Sequence, residues 1–155
     1  MSDKTPTIIF VCTGNTCRSP MAAALAESIF KKHELTAIVL SAGVAASDGY
    51  PASEHAISAM QEETINLQLH RSTQITREIL SSASLILTMT GGHLHTIKAI
   101  YPQANAFTLG EYAKDGNDVS DPFGGNLNTY RKCAAQIKQL ILSSLVKLKE
   151  DLWKI

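Results

Sequence analysis

The stretch from Ile8 to Phe30 constrains the fold of this chain more than any other. The apolar run Ile8–Val11 predicts a strand buried on both faces, and the Ala-rich run Met21–Phe30, with apolar residues at helical spacing, predicts a helix. The short segment Cys12–Pro20 joins the two. In such a turn the backbone N–H groups converge on one spot, where the helix dipole also favours negative charge. The pattern therefore predicts an anion-binding loop.

Three residues of the loop favour this turn for separate reasons. Gly14 permits backbone conformations that other residues avoid, and Ser19 is a favourable N-cap. Pro20 suits the first helical position because its missing N–H would have had no partner there. We therefore expect the helix to begin at Pro20, directly after a Ser19 cap.

Cys12 opens the loop and Arg18 closes it. A thiol that faces converging N–H dipoles and a guanidinium is expected to be largely thiolate near neutral pH, and a thiolate is a nucleophile. Arg18 presents a planar fork of donors that matches two phosphoryl oxygens. The alternative is a buried cysteine beside an arginine that pairs with a carboxylate, which leaves Gly14, Ser19 and Pro20 unexplained. The chain lacks the Walker pattern, so nothing indicates a P-loop NTPase.

The motif Val11–Met21, VCTGNTCRSPM, resembles the signature of low-molecular-weight protein tyrosine phosphatases. The resemblance includes Ser41–Gly43 and Asp121–Gly125 and so spans nearly the whole chain. It implies a phosphatase of phosphorylated proteins that needs neither metal nor other cofactor, forms a cysteinyl-phosphate, and has inorganic phosphate as product and inhibitor. The residues expected to bind phosphate are Thr13, Gly14, Asn15, Thr16, Cys17, Arg18 and Ser19.

Asp121 is the candidate general acid. A leaving group expelled by thiolate attack needs a proton, which must come from the opposite side of the phosphoryl group. The acid of the family lies in the same Asp-Pro-aromatic sequence, and Pro122 stiffens the chain beside it. Its carboxylate would then deprotonate the attacking water. The alternative is that Asp121 only starts a turn before Pro122; Asp115 and Asp118 are expected to have turn or solvent roles.

Two further loop residues are expected to support Cys12. Ser19 is expected to donate a hydrogen bond to the Cys12 sulfur as well as to cap the helix, which would ease departure of the sulfur when water attacks. Asn15 tolerates a left-handed backbone conformation. The resemblance further implies that Asn15 braces the loop from within through Ser41.

Cys17 is a candidate redox partner of Cys12. An oxidised Cys12 would form a disulfide with Cys17 and block catalysis reversibly. The alternative is that Cys17 is a small buried hydrophobic residue, because free cysteines are among the most buried residue types. Cys133 falls on the apolar stripe of the last predicted helix and is expected in the core.

Thr16 and Phe123 bear on substrate choice. Tyrosine-specific members of the family commonly carry a bulkier aliphatic residue where this chain has Thr16, whereas the bacterial protein arginine phosphatases resemble this chain. A smaller, polar side chain leaves room for a planar guanidinium, and Phe123 is expected to pack on the substrate stem. We therefore expect phosphoarginine to be preferred, with Asp121 close to the departing nitrogen. The alternative is a threonine that simply suits a tight turn.

Composition excludes several classes of protein. Lys and Arg number 14, as do Asp and Glu, so no net charge favours nucleic acid or an anionic membrane. No apolar run reaches the roughly 18 residues of a membrane span, and Met1–Pro6 is too polar for a signal peptide.

Three cysteines indicate a reducing compartment, the cytoplasm. The five histidines lack metal-ligand spacing and are expected to have packing or solvent roles. Nothing in the sequence indicates an oligomeric state.

Strands and helices are predicted to alternate along the rest of the chain, with Gly91 and Gly92 as a turn and residues 110–125 as a long functional loop. Further strands are expected at Ile38–Leu40, Ser84–Met89 and Ala104–Leu109, and helices at Pro20–His33, Ala52–Glu63, Thr76–Ser82, His93–Ile100 and from Tyr130 to the C-terminus.

This alternation predicts an α/β fold of three layers, with a four-stranded parallel sheet in flavodoxin-like order and one phosphatase domain over residues 1–155. In that order the first strand-helix loop lies at the topological switch point, where ligands bind. The loop with Asp121 also follows the carboxyl end of a strand. One crevice is therefore expected to hold Cys12 and Asp121.

Three other functions stay open. The first is a tyrosine phosphatase of the same fold. The second is a thiol-dependent arsenate reductase, which needs additional cysteines on a mobile segment, whereas no cysteine lies between Cys17 and Cys133. The third is a phosphate-binding module without turnover. Such a module would not need a general acid, so it leaves Asp121 unexplained.

Overall fold

A computed structural model of the chain describes residues 5–155. The segment Met1–Lys4, on which part of the signal-peptide argument depends, lies outside the described residues. Within the described range, no helix combines the length and apolar character required to cross a membrane.

One parallel sheet organises the molecule. Its four strands are β1 (Thr7–Cys12), β2 (Ile38–Gly43), β3 (Leu85–Thr88) and β4 (Ala106–Thr108), in the order β2-β1-β3-β4. Because β1 is central, it pairs with β2 on one side and β3 on the other. The predicted α/β class, strand number and flavodoxin-like order are confirmed.

Helices cover both faces of the sheet. They are α1 (Arg18–Lys32), α2 (Glu54–Glu62), α3 (Arg77–Ser81), α4 (Gly91–Ile100), α5 (Leu109–Tyr112), α6 (Leu127–Ser143) and α7 (Leu145–Leu148), followed by a π-helical turn at Lys149–Trp153.

Alternate residues of β1 enter two separate apolar cores. Ile8 and Phe10 share a core with residues of α1, α2 and α6, whereas Ile9 and Val11 share one with residues of α3 and α4. Burial of both faces explains why β1 is a continuous apolar run rather than an alternating one. The carboxyl end of β1, and with it Cys12, is thereby held in the middle of the molecule.

Three predicted boundaries are wrong because polar side chains cap helices there. Helix α6 begins at Leu127, behind an Asn126 cap, and not at Tyr130. Gly91 and Gly92 open α4 instead of forming a turn, since the Thr90 hydroxyl accepts a hydrogen bond from the His93 backbone N–H. Likewise Thr108 caps the short helix α5, which lies at the start of the predicted long loop. Each cap satisfies a backbone donor that a free helix end would leave unpaired.

The predicted C-terminal helix is also interrupted. It breaks at Ser144, whose hydroxyl donates to the Leu140 carbonyl at 2.7 Å, and the chain then continues as α7 and the π-helical turn. This change of direction brings Trp153 onto Phe30, with ring centroids 5.3 Å apart, and lets its indole N–H donate to the Thr36 carbonyl. The predicted packing of Trp153 onto the body is confirmed.

Candidate active site

The loop between β1 and α1 lies beneath an open cavity of about 260 Å³ at the carboxyl edge of the sheet. Its walls come from two distant parts of the chain, so the structure brings the predicted site residues together. The lining residues are Cys12, Thr13, Gly14, Thr16, Cys17, Arg18, Asp121 and Phe123. The two other predicted residues, Asn15 and Ser19, are fully buried behind the loop.

The helix begins earlier than predicted, and Ser19 is not its cap. Helix α1 starts at Arg18 with Cys17 as its N-cap, and the Cys17 side chain makes no capping hydrogen bond. The Ser19 hydroxyl lies 2.9 Å from the Cys12 sulfur. Because Ser19 lies inside the helix, it does not occupy the N-cap position. The free N–H groups of the first turn are left for an anion.

The left-handed residue of the loop is Asn15, with φ of 58°, and not Gly14. The predicted conformation of Asn15 is confirmed, whereas the conformational role expected of Gly14 is wrong. A Cβ atom at Gly14 would lie 3.8 Å from the Thr16 hydroxyl, an ordinary contact distance. Glycine is instead required at Gly43, where a Cβ atom would overlap the Thr13 carbonyl oxygen.

Four hydrogen bonds fix Asn15 in its unfavourable conformation. Its side-chain NH₂ donates to the hydroxyls of Ser19 at 2.8 Å and Ser41 at 2.9 Å, and its Oδ1 accepts from the Thr73 backbone N–H at 2.9 Å. The His70 ring Nε2 lies 2.7 Å from its carbonyl oxygen. The expected contact with Ser41 is present. Sequence analysis missed His70, because nothing near it in the chain sets it apart from a surface histidine.

Arg18 is buried and held on two sides. One guanidinium nitrogen, Nη1, donates to the Val119 carbonyl at 3.0 Å. The other, Nη2, donates to the Thr13 hydroxyl at 3.5 Å and lies 3.6 Å from Oδ2 of Asp121. The guanidinium plane is therefore fixed while one edge faces the cavity.

Asp121 lines the same cavity as Cys12, at its mouth. The Asp121 side chain is 55% exposed, whereas Cys12 is buried. Its second oxygen, Oδ1, accepts from the Phe123 backbone N–H at 3.1 Å, which fixes the local turn. Asp121 thus forms the expected turn and also lies beside Arg18, and its role as general acid stays a prediction. Asp118 lies nearby and accepts a hydrogen bond from the Gly91 backbone N–H at 3.4 Å.

Cys17 has polar neighbours in addition to its buried position. Its sulfur lies 3.3 Å from the Tyr130 hydroxyl, 3.5 Å from the Ser53 hydroxyl and 3.7 Å from that of Thr16. Burial and the Cys17 contact raise the pKa of Tyr130 to about 12, so its phenol is protonated. Tyr130 was predicted only as the start of the last helix, and this contact was not expected. Cys133 is buried in the core as predicted.

One exposed aromatic side chain, that of Phe123, lines the cavity. Phe123 is 80% exposed, and Tyr50 lies exposed in the segment that follows β2. Thr16 forms part of the wall near the Cys17 sulfur.

His93 was expected to have a packing or solvent role, but it touches the loop. Its ring Nε2 lies 2.9 Å from the Thr13 hydroxyl and its Nδ1 lies 3.1 Å from the Thr90 hydroxyl. Burial and the neighbouring Arg18 charge lower its pKa to about 4, so the ring is neutral at pH 7. Across residues 5–155, no three His, Cys, Asp or Glu side chains gather in a way that would hold a metal ion.

Comparison with known proteins agrees with this geometry. A sequence model described as low molecular weight phosphotyrosine protein phosphatase matches residues 7–154. The chain belongs to this family. The family and enzyme class expected from the sequence are thereby confirmed.

Its relatives within the family include enzymes of two named specificities. It is 43% identical over 147 residues to a protein-arginine-phosphatase of Bacillus subtilis, covering 93% of this chain and 97% of the relative. It is 36% identical over 145 residues to the low molecular weight protein-tyrosine-phosphatase PtpB of Staphylococcus epidermidis, covering 93% and 99%.

Solved structures show the same fold. One is the YwlE arginine phosphatase as a cysteine-to-serine mutant with a phosphorylated active-site serine, at a TM-score of 0.89 and 42% identity, covering 94% of this chain and 97% of that one. Another is the low molecular weight protein tyrosine phosphatase from T. tengcongensis, at a TM-score of 0.89 and 36% identity, covering 93% and 100%.

Proposed function

We propose that this protein hydrolyses phosphorylated side chains of proteins, with phosphoarginine preferred, through a cysteinyl-phosphate on Cys12. The observation that carries the proposal is the cavity that has Cys12 at its floor, Arg18 in its wall and Asp121 at its mouth. The YwlE cysteine-to-serine mutant carries a phosphoryl group on its active-site serine, which supports a covalently bound phosphoryl group on Cys12 in this protein.

In the first step the Cys12 thiolate attacks phosphorus. A sulfur–phosphorus bond forms while the bond from phosphorus to the substrate nitrogen or oxygen breaks, and Asp121 gives its proton to the leaving atom. The loop N–H groups and Arg18 hold the charge on the three equatorial oxygens. Nη2 of Arg18 lies 3.6 Å from Oδ2 of Asp121. A bound phosphoryl group would therefore accept hydrogen bonds from the same edge of the guanidinium that faces this carboxylate.

In the second step water attacks the cysteinyl-phosphate. The Asp121 carboxylate takes a proton from the water, the sulfur–phosphorus bond breaks and inorganic phosphate leaves. Ser19, with its hydroxyl 2.9 Å from the sulfur, stabilises the departing thiolate by a hydrogen bond. Asn15 donates to the same hydroxyl oxygen, so the Ser19 proton is available to the sulfur at 2.9 Å or to the Ala42 carbonyl at 3.4 Å, and the thiolate is the nearer and charged acceptor.

Thr16 and Phe123 support the preference for phosphoarginine. The small Thr16 leaves room at the wall for a planar guanidinium, and the exposed Phe123 offers a face for the stem of the substrate. The test compares peptides of one sequence that carry either phosphoarginine or phosphotyrosine. We expect faster turnover of phosphoarginine, and Thr16→Ile should reduce that preference. Faster phosphotyrosine turnover, unchanged by Thr16→Ile, would favour the tyrosine phosphatase alternative.

A phosphate-binding module is distinguished by a simpler assay. Para-nitrophenyl phosphate should be hydrolysed by the wild type and not by Cys12→Ser. Absence of turnover by the wild type would favour a binder. The conservative Cys133→Ser variant is the matched control, because Cys133 is a buried cysteine outside the cavity.

Three further expectations complete the proposal. The whole chain acts as one phosphatase domain, in keeping with the match over residues 7–154. It works in the cytoplasm, where its free cysteines stay reduced. A disulfide between Cys12 and Cys17 protects the nucleophile from irreversible oxidation, and it is tested by non-reducing mass spectrometry after peroxide treatment.

A further inference from the structure

His93 is the one histidine whose ring contacts a side chain of the phosphate-binding loop in the part of the chain the structure describes. It lies in the first turn of α4 and is 6% exposed. Its two ring nitrogens each lie within hydrogen-bond distance of a threonine hydroxyl, Thr13 at 2.9 Å and Thr90 at 3.1 Å. Thr90 accepts a further hydrogen bond from the His93 backbone N–H. The imidazole is therefore fixed in position and orientation.

The Thr13 hydroxyl lies between His93 and Arg18. It follows Cys12 directly in the chain and accepts a hydrogen bond from Nη2 of Arg18 at 3.5 Å. A hydroxyl has one proton and a rotatable bond, so its direction depends on its other partner. With the ring proton of His93 on Nδ1, Nε2 accepts the Thr13 hydroxyl proton, which leaves a lone pair of the Thr13 oxygen for the guanidinium.

Nη2 is the guanidinium nitrogen that this contact controls. The other terminal nitrogen, Nη1, is already fixed by the Val119 carbonyl at 3.0 Å. Asp121 also approaches Nη2, at 3.6 Å, but a bound phosphoryl group competes for that edge. Thr13 is therefore the contact at Nη2 that holds the orientation of the planar guanidinium once the substrate is present, and bidentate recognition of phosphoryl oxygens depends on that orientation.

We propose that His93 is a positioning residue for the phosphatase reaction: through the Thr13 hydroxyl it holds the Arg18 guanidinium in the orientation that binds the phosphoryl oxygens in the transition state. The inference rests on the phosphatase activity proposed above, but not on the preference for phosphoarginine. His93 itself touches neither substrate nor the reacting atoms. Its neutral ring also adds no second positive charge beside Arg18.

The test compares four variants with the wild type on para-nitrophenyl phosphate. His93→Leu removes both ring hydrogen bonds, whereas His93→Gln keeps a nitrogen at the ε position. Thr13→Val removes the hydroxyl and leaves His93 in place. His95→Gln is the matched control, since His95 is an exposed histidine on the same helix.

We expect His93→Leu to lower kcat by about 10- to 100-fold with less than about a threefold rise in KM, because the affected contact is strongest in the transition state. Vanadate, which adopts a transition-state-like geometry, should bind more weakly in the same proportion, while inorganic phosphate should not. His93→Gln should recover most of the loss. Because both residues act through one contact, Thr13→Val and the double variant with His93→Leu should have the same kcat.

Several results would overturn the inference. His93→Leu with wild-type kcat would do so, as would effects of His93→Leu and Thr13→Val that multiply, or equal losses in His93→Leu and His93→Gln with a matching fall in melting temperature. If His93→Leu does not fold, Thr13→Val alone decides, and wild-type kcat and vanadate affinity in that variant would refute the role. If the wild type shows no turnover, the proposed function fails. The positioning role of His93 is then tested by vanadate binding alone, and equal affinities of the wild type and His93→Leu would refute it.

Discussion

Acidification should destabilise this protein through His93, and the size of the effect follows from its surroundings. Burial and the charge of Arg18 lower the pKa of the folded His93 to about 4, against an ordinary value of 6.5. The carboxylates of Asp118 and Asp121 act in the opposite direction but are outweighed. Between these two pH values the unfolded chain binds a proton at His93 that the folded chain does not. The free energy of unfolding therefore falls as the pH drops through this window.

The magnitude at pH 5 is about 2 kcal/mol, since each pH unit below 6.5 contributes about 1.4 kcal/mol. The loss approaches about 3 kcal/mol near pH 4 and is absent above pH 7. His70, whose pKa is also lowered, chiefly by burial, contributes with the same sign. Urea unfolding at pH 7 and pH 5 measures the change directly.

His93→Gln is the decisive comparison, because glutamine does not titrate while every other group still does. The wild type should lose about 2 kcal/mol more than His93→Gln between pH 7 and pH 5. His95→Gln, at an exposed position on the same helix, is the control for the substitution itself. Equal losses in the wild type and His93→Gln would refute the argument that the folded protein keeps His93 neutral.

Three further predictions concern the loop and the acid. Ser19→Ala should lower kcat about 10- to 100-fold by removing the hydrogen bond to the Cys12 sulfur, with KM unchanged; wild-type kcat would contradict this. Asp121→Asn should slow phosphotyrosine-peptide hydrolysis by about 10²- to 10⁴-fold but para-nitrophenyl phosphate less, because para-nitrophenolate leaves readily without a proton; equal losses on both substrates would argue against a general acid. Asn15→Ala should have a free energy of unfolding about 1 kcal/mol lower than that of Asn15→Gly, because glycine adopts the φ of 58° without strain and alanine does not. Identical urea midpoints for the two variants would contradict this conformational argument.

The sheet was predictable because its information is local. Each strand is a short apolar run, and β1 has no polar face because both of its sides enter a core. Ends of elements were less predictable, since one side chain decides them. Because Thr90 caps α4, this helix begins at Gly91, where a turn was expected. Ser144 interrupts the last helix.

Within the loop, residue types were a better guide than conformations. The left-handed position was correctly expected at Asn15, where four hydrogen bonds hold it, but Gly14 was wrongly expected to adopt a special conformation. Ser19 was correctly expected beside the Cys12 sulfur and wrongly expected to cap α1. A hydroxyl suits both positions, and only the point at which the helix begins distinguishes them.

The sequence alone determined that Cys12 and Arg18 share one strand-loop-helix turn, because residues so close in the chain meet through local backbone geometry. The tertiary structure decided which distant side chains complete the site. His70, His93 and Tyr130 lie far along the chain from the loop and touch it only because the ends of parallel strands and the helices that follow them converge at one edge of the sheet. A histidine or tyrosine suits a surface, a core or such a contact equally well, so its role follows from packing and not from its neighbours in the sequence.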